Sequence, residues 1–180
     1  MIRLFVGIGL PDSLSERLAG LRGQIPGARW VPSENYHITL RFIGEVDEDT
    51  AIDIDSALAR VDAPAFGIAV HGVGHFESRG RVRSLWAGVA RDPALDHLQA
   101  RVETACQRAG LAAEGRKFHP HVTLARCRDT QAARIAGFLA DHGGFHAPAF
   151  PVGSFALYSS TLGRGGAVYT REVDYPLGRP

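Results

Sequence analysis

The tetrad His-x-Thr-Leu occurs twice in this chain, as His37-Ile-Thr-Leu40 and His121-Val-Thr-Leu124, 84 residues apart (121 − 37). With 8 histidines in 180 residues, random placement predicts roughly 0.03 such tetrads, so two is a strong constraint. The first lies in a strictly alternating run. Ile38, Leu40 and Phe42 fall on one face of a strand from His37 to Ile43, and His37, Thr39 and Arg41 on the other. A fold for this chain has to provide two strands that each present a histidine and a threonine on the same side.

Two further correspondences keep nearly the same spacing. Leu4-Phe-Val-Gly-Ile8 resembles Leu85-Trp-Ala-Gly-Val89 at 81 residues (88 − 7 for the glycines), and the turn glycines Gly80 and Gly163 are 83 apart (163 − 80). Agreement within three residues implies an internal duplication. Apolar periodicity predicts a strand over Arg3–Leu10, a helix capped by Asp12 or Ser13 with Leu14, Leu18 and Leu21 on one face, and a helix near Asp49–Val61. Strands over Phe66–Val73 and Ser84–Val89 flank the turn Ser78-Arg-Gly-Arg81. Then come a helix from Pro93 to about Ala109, a helix near Thr130–His142, and strands through Phe155–Tyr158 and Val168–Arg171 around Leu162-Gly-Arg-Gly165. The expected class is α+β: residues 1–180 form one bilobal domain, with two pseudo-symmetric αβ lobes, largely antiparallel sheets flanking a central cleft and helices outside.

Composition narrows the partners. The formal net charge is only +1, so a nucleic acid has to be held by a local patch, and a short or terminal substrate fits better than a long duplex. The apolar opening Met1–Leu10 is cut by Pro11 and Asp12, too early for a leader or a bilayer span, and no membrane association is expected. Cys106 and Cys127 form no CxxC pair and read as buried thiols in a reducing cytoplasm. A monomer is expected.

Two imidazoles across a cleft suit a reaction that takes a proton from an attacking oxygen and gives one to a leaving oxygen, since histidine titrates near neutrality. A threonine two residues along a strand lies about 6.6 Å away on the same face. Its hydroxyl can serve the nonbridging oxygens of a phosphate while the imidazole serves a bridging one. His119-x-His121 also has ligand-like spacing, and His71, His75 or His37 could complete a zinc site, but zinc leaves the threonines unexplained. A noncatalytic module that binds RNA ends would need no paired histidines.

The paired tetrads resemble those of the two-histidine phosphoesterases, and within them the RNA 2′,3′-cyclic phosphodiesterases once called 2′-5′ RNA ligases. The likeness extends through Arg3–Pro11, His37 to Val46, Phe118-His-Pro-His-Val-Thr-Leu-Ala-Arg126, Leu157-Tyr-Ser-Ser160 and Tyr169; Gly9 departs from it, standing where relatives often have an acidic residue. The resemblance implies metal-free, cofactor-free hydrolysis of a cyclic phosphate at the end of an RNA or tRNA fragment to a 2′-phosphate. It makes His37 the proton donor and His121 the acceptor, with Thr39 and Thr123 holding the phosphate. Joining a cyclic phosphate to a 5′-hydroxyl would use the same proton transfers, and cyclic phosphates of small nucleotides remain an alternative substrate. Four residues are secondary candidates for substrate contact: Arg126, which reaches the cleft only if its strand ends or bulges; Phe118 and Tyr158, which could stack on a base; and Lys117, the one lysine among 20 basic residues.

Overall fold

Both tetrads open a strand, and the fold is organised around the place where these two strands touch. The computed structural model describes residues 1–178. In chain order it contains β1 (Ile2–Gly9), α1 (Asp12–Ala19), β2 (Ala28–Trp30), β3 (His37–Val46), α2 (Glu48–Leu58), β4 (Phe66–Ser78), β5 (Arg81–Val89), α3 (Pro93–Arg108), β6 (His121–Thr130), α4 (Ala136–His142), β7 (His146–Val152), β8 (Ser154–Gly163) and β9 (Gly166–Pro176). Short 3₁₀ turns occupy Ser33–Asn35 and Ala132–Arg134.

Every strand pairing is antiparallel, in the order β7-β4-β5-β6-β3-β1-β8-β9. At the centre, β3 and β6 meet through one residue pair, Ile38 opposite Val122. Past that point β2 takes over the edge of β6, pairing Arg29 with Arg126 and Trp30 with Ala125. Outward from the seam the order is β3-β1-β8-β9 on one side and β6-β5-β4-β7 on the other. The repeats also exchange strands: β4, from the first repeat, pairs with β5, the counterpart of β1 that opens the second, whereas β8, from the second repeat, pairs with β1. We infer from this mirrored order that the chain is one domain built by duplication.

The helices all pack one face of the sheet. Leu14 and Leu18 of α1, Ile54 and Leu58 of α2, Leu95, Leu98 and Val102 of α3, and Phe138 of α4 join Ile38, Leu40, Val122 and Leu124 in one continuous apolar core. Each such fully buried aliphatic side chain contributes roughly 1.5–3 kcal/mol relative to exposure. The opposite face carries a second, small buried cluster of Phe5, Ala156 and Tyr158 with Tyr169 against it, and it is the face that presents the tetrad histidines and threonines. Among the described residues no helix is long and apolar enough to cross a membrane.

Several boundaries differ from expectation for identifiable reasons. α1 begins at Asp12 after Pro11 and has no side-chain cap, so neither Asp12 nor Ser13 is the N-cap; Leu21 lies past its end yet is buried. The caps that do form are Asp47, whose carboxylate accepts from Thr50 N (2.8 Å), and Asp92, which accepts from Ala94 N (2.7 Å) ahead of Pro93. Thr130 ends β6 instead of starting a helix. Strand β7 was not expected because Pro148 and Pro151 interrupt it, but it lies at the sheet edge, where proline is tolerated. The β4–β5 hairpin is longer than predicted and turns on Arg79 and Gly80, both at positive φ (52° and 71°), as a two-residue turn matched to strand twist requires.

Candidate active site

The alternation that sets His37 and Thr39 on one face does not continue through β3. In the pairing with β1, Gly7 is opposite Thr39 and Val6 opposite Arg41, so Leu40 is an extra residue in the ladder. The bulge corrects one expectation: Arg41 turns to the helical side, where its Nε lies 2.7 Å from Glu103 and its guanidinium donates to the carbonyl of Ala112 (2.5 Å). Phe42 is left exposed on the other face, with the Arg3 guanidinium 5.4 Å from its ring centre. An equivalent irregularity occurs 84 residues on. Thr123 is opposite Trp86 and Ala125 opposite Leu85, so Leu124 bulges in β6. Leu124 and Ala125 are both buried, and Arg126 emerges on the histidine side. The condition for Arg126 to reach the site is therefore met, and its charge lowers the pKa of both His37 and His121.

Each imidazole is oriented by the backbone two residues before it. His37 Nδ1 donates to the Asn35 carbonyl (2.8 Å) and His121 Nδ1 to the His119 carbonyl (2.6 Å). A carbonyl only accepts, so each neutral ring carries its hydrogen on Nδ1 and its lone pair on Nε2. At His37 that lone pair accepts from the Thr39 hydroxyl (2.9 Å).

The walls around the two rings differ. His37 packs on Phe5 (4.6 Å between ring centres) with Tyr169 edge-on at 5.4 Å, and Phe5 is itself stacked on Tyr158 (4.9 Å, 3° between planes). His121 meets Phe76 edge-on at 4.9 Å and Trp86 at 6.1 Å. Trp86 stands 81 residues after Phe5, and its ring lies so close over Gly74 that a Cβ there would come within 2.3 Å of it. Burial is the main cause of depressed pKa values in both rings. It takes His37 down to about 4, with Arg126 and His121 acting in the same direction, and it lowers His121, with His119 and Arg126 adding to the effect. In both rings these surroundings favour the neutral form.

The remaining predicted residues are distributed unevenly. Tyr158 is buried, with one face taken by Phe5, and with Tyr169, Arg171, Asn35 and His37 it lines a hollow of about 430 Å³. Phe118 is half-buried against the main core, and Lys117 is exposed before it. His119 packs against Trp86 (5.1 Å) and Phe76 (5.4 Å), and His75 pairs with Glu77 (2.8 Å). Among the described residues no group of three His, Cys, Asp or Glu side chains is gathered as a metal site requires. A wider groove of about 630 Å³ lies between α2 and α3 and touches neither histidine. Phe5, Phe76 and Asn35 went unnoticed in the sequence. The offsets of 81 and 84 that pair Phe5 with Trp86 and Asn35 with His119 were the available signal.

A family model described as LigT-like phosphoesterase matches residues 8–86 and again residues 89–169, one match to each half of the chain. The chain belongs to this family. It is 36% identical over 159 residues, 85% of its length and 90% of the relative's, to an RNA 2′,3′-cyclic phosphodiesterase of Aeropyrum pernix. It is 31% identical to the Escherichia coli protein of the same name, over 93% of this chain and 92% of that one. Its structure superposes on that of E. coli LigT complexed with 3′-AMP with a TM-score of 0.80, at 28% identity and 99% coverage of both chains.

Proposed function

We propose that this LigT-like phosphoesterase hydrolyses the 2′,3′-cyclic phosphate at RNA ends, including those of tRNA fragments, to a 2′-phosphomonoester without a metal, His37 acting as acid and His121 as base. The observation that carries the reading is the matched pair of Nδ1–carbonyl bonds, which leave one Nε2 lone pair on each side of the seam. The names borne by the relatives supply the substrate class.

In this mechanism His121 Nε2 takes a proton from water as its oxygen attacks phosphorus. The bond from phosphorus to the 3′ oxygen breaks, and His37 Nε2 delivers a proton to that oxygen, leaving a 2′-phosphate and a 3′-hydroxyl. His37 is neutral until substrate arrives. The phosphate anion favours the imidazolium and reverses much of the depression caused by burial. A protonated Nε2 no longer accepts, so the Thr39 hydroxyl is released to donate to a nonbridging oxygen, with Thr123 opposite it. Arg126 compensates the charge that develops on those oxygens. A 5′-hydroxyl in place of water would give a 2′-5′ linkage by the same transfers. The free, buried thiols Cys106 and Cys127 suit a reducing cytoplasm.

The test is a short RNA ending in a 2′,3′-cyclic phosphate, incubated in excess chelator with wild type, His37→Ala or His121→Ala. Wild type alone is expected to accumulate the 2′-phosphate. A metal requirement, a 3′-phosphate product, or turnover surviving both substitutions overturns the reading.

A further inference from the structure

The two sides of the histidine pair differ in charge. The hollow beside His37 is rimmed by Asp12, Glu16 and Glu34, and its one arginine, Arg171, donates to Asp174 (2.5 Å). That surface repels a second phosphate. On the other side the register lines up Phe76 of β4, Ser84 of β5, Arg126 of β6 and Arg29 of β2 as successive cross-strand partners. Such partners project from the same face. Phe76 touches His121, so the row opens on the histidine side, and it ends in two exposed arginines on adjacent strands about 4.8 Å apart. The Leu124 bulge is what brings Arg126 into this row. Arg29 uses one of its five N–H donors on the carbonyl of Gly165 at the tip of the β8–β9 hairpin (2.7 Å). That bond holds the side chain beside the site instead of leaving it free in solvent.

We propose that Arg29 is a backbone subsite of this enzyme: with Arg126 at the reacting phosphate, Arg29 takes the next phosphodiester of a polynucleotide, so the row distinguishes an RNA end from a cyclic mononucleotide. The inference rests on the function proposed above and adds the part of the substrate beyond its last nucleotide. A mononucleotide has no phosphate to offer Arg29; an oligonucleotide does.

The experiment compares wild type with Arg29→Gln, which can still donate to the Gly165 carbonyl but carries no charge. One arm measures kcat/KM for a tetranucleotide ending in a 2′,3′-cyclic phosphate and for the corresponding cyclic mononucleotide. The ratio of oligonucleotide to mononucleotide kcat/KM is expected to fall about tenfold in Arg29→Gln and to recover largely in Arg29→Lys. An unchanged ratio overturns the subsite, because loss through misfolding or a displaced hairpin would lower both substrates together. A second arm needs no turnover. Fluorescence anisotropy of a labelled tetranucleotide ending in a 2′-phosphate is expected to give weaker binding to Arg29→Gln. Its salt dependence should be shallower by about 0.7 in log–log slope, the contribution of one single-strand phosphate contact. Equal affinity and slope contradict the subsite even if the wild-type protein turns over neither substrate, an outcome that would defeat the proposed function on its own.

Discussion

His37 and His121 begin equivalent strands, donate Nδ1 to equivalent carbonyls and precede equivalent bulges, yet their surroundings differ. His37 is enclosed by Phe5 and Tyr169, and its Nε2 is engaged by Thr39. His121 lies against Phe76, Trp86 and a third imidazole, His119, and among the described residues nothing engages its Nε2. The backbone device is shared, and the protonation behaviour is set by the side chains around it. Repetition of the backbone can thus supply two copies of one oriented imidazole and place them in different surroundings. Under the mechanism proposed above, the enclosed ring gains a proton only with its substrate, and the ring with the open lone pair accepts one from water.

The comparison can be broken or sharpened by substitution. Alanine at either histidine is expected to lower kcat by about 10²–10⁴-fold, and the double substitution by little more than the worse single one, because the two transfers belong to one step. Steady-state rates on a cyclic-phosphate RNA measure this, and losses that multiply would mean the rings act separately. Stability should report the difference in burial. The folded pKa of His37, about 4, lies below its unfolded value of 6.5, so the unfolded chain binds more protons between these values. Stability therefore rises from pH 4 to pH 6.5 and is flat above; for this one group the change is as much as about 3 kcal/mol. Urea midpoints across that window should show a shallower pH dependence for His37→Gln than for wild type, and curves that run parallel would contradict the burial of His37. Thr39→Val and Thr123→Val each remove a hydroxyl from a charged phosphate, and each should cost about 10- to 100-fold in kcat/KM.

Asn35 tests the positioning of the imidazole. Its carbonyl fixes His37 and its side chain donates to the Ala167 carbonyl of β9 (2.8 Å), so it ties the ring to the strand that carries Tyr169. Asn35→Ala keeps the carbonyl but frees it from β9, so it should lower kcat about fivefold, the worth of one hydrogen bond, while ¹⁵N shifts of His37 should still show the Nδ1–H tautomer. The smallest expected effect is electrostatic. The Arg126 charge depresses both histidines, so Arg126→Gln should raise both pKa values in an NMR titration, and a rise in only one would place the guanidinium outside the shared site.

The tetrads and the three near-equal offsets make the antiparallel α+β architecture legible, because strand alternation and turn glycines are local signals. The bulges are not local. Leu40 and Leu124 look like ordinary inward residues in sequence, and only the pairing with β1 and β5 reveals that each shifts the following side chain to the opposite face. That is why Arg41 was assigned to the histidine side and Arg126 could be assigned there only conditionally. The exchange of β4 and β8 between halves is equally invisible, since each strand has the same composition whichever partner it pairs with. The aromatic wall beside His37 is hidden for a related reason: alternation in a strand does not say which face meets the helices, and Phe5 packs with Tyr158 on the face opposite the main core.

The division of labour between the rings is tested most directly with an RNA whose 3′ bridging oxygen in the cyclic phosphate is replaced by sulfur. A thiolate leaves without a proton. His37→Ala should therefore cleave this substrate at a rate approaching that of wild type while His121→Ala stays inactive, because water still has to be deprotonated. Rescue of His121→Ala in place of His37→Ala would reverse the assigned roles, and rescue of neither would contradict proton donation to the leaving oxygen as the task of His37.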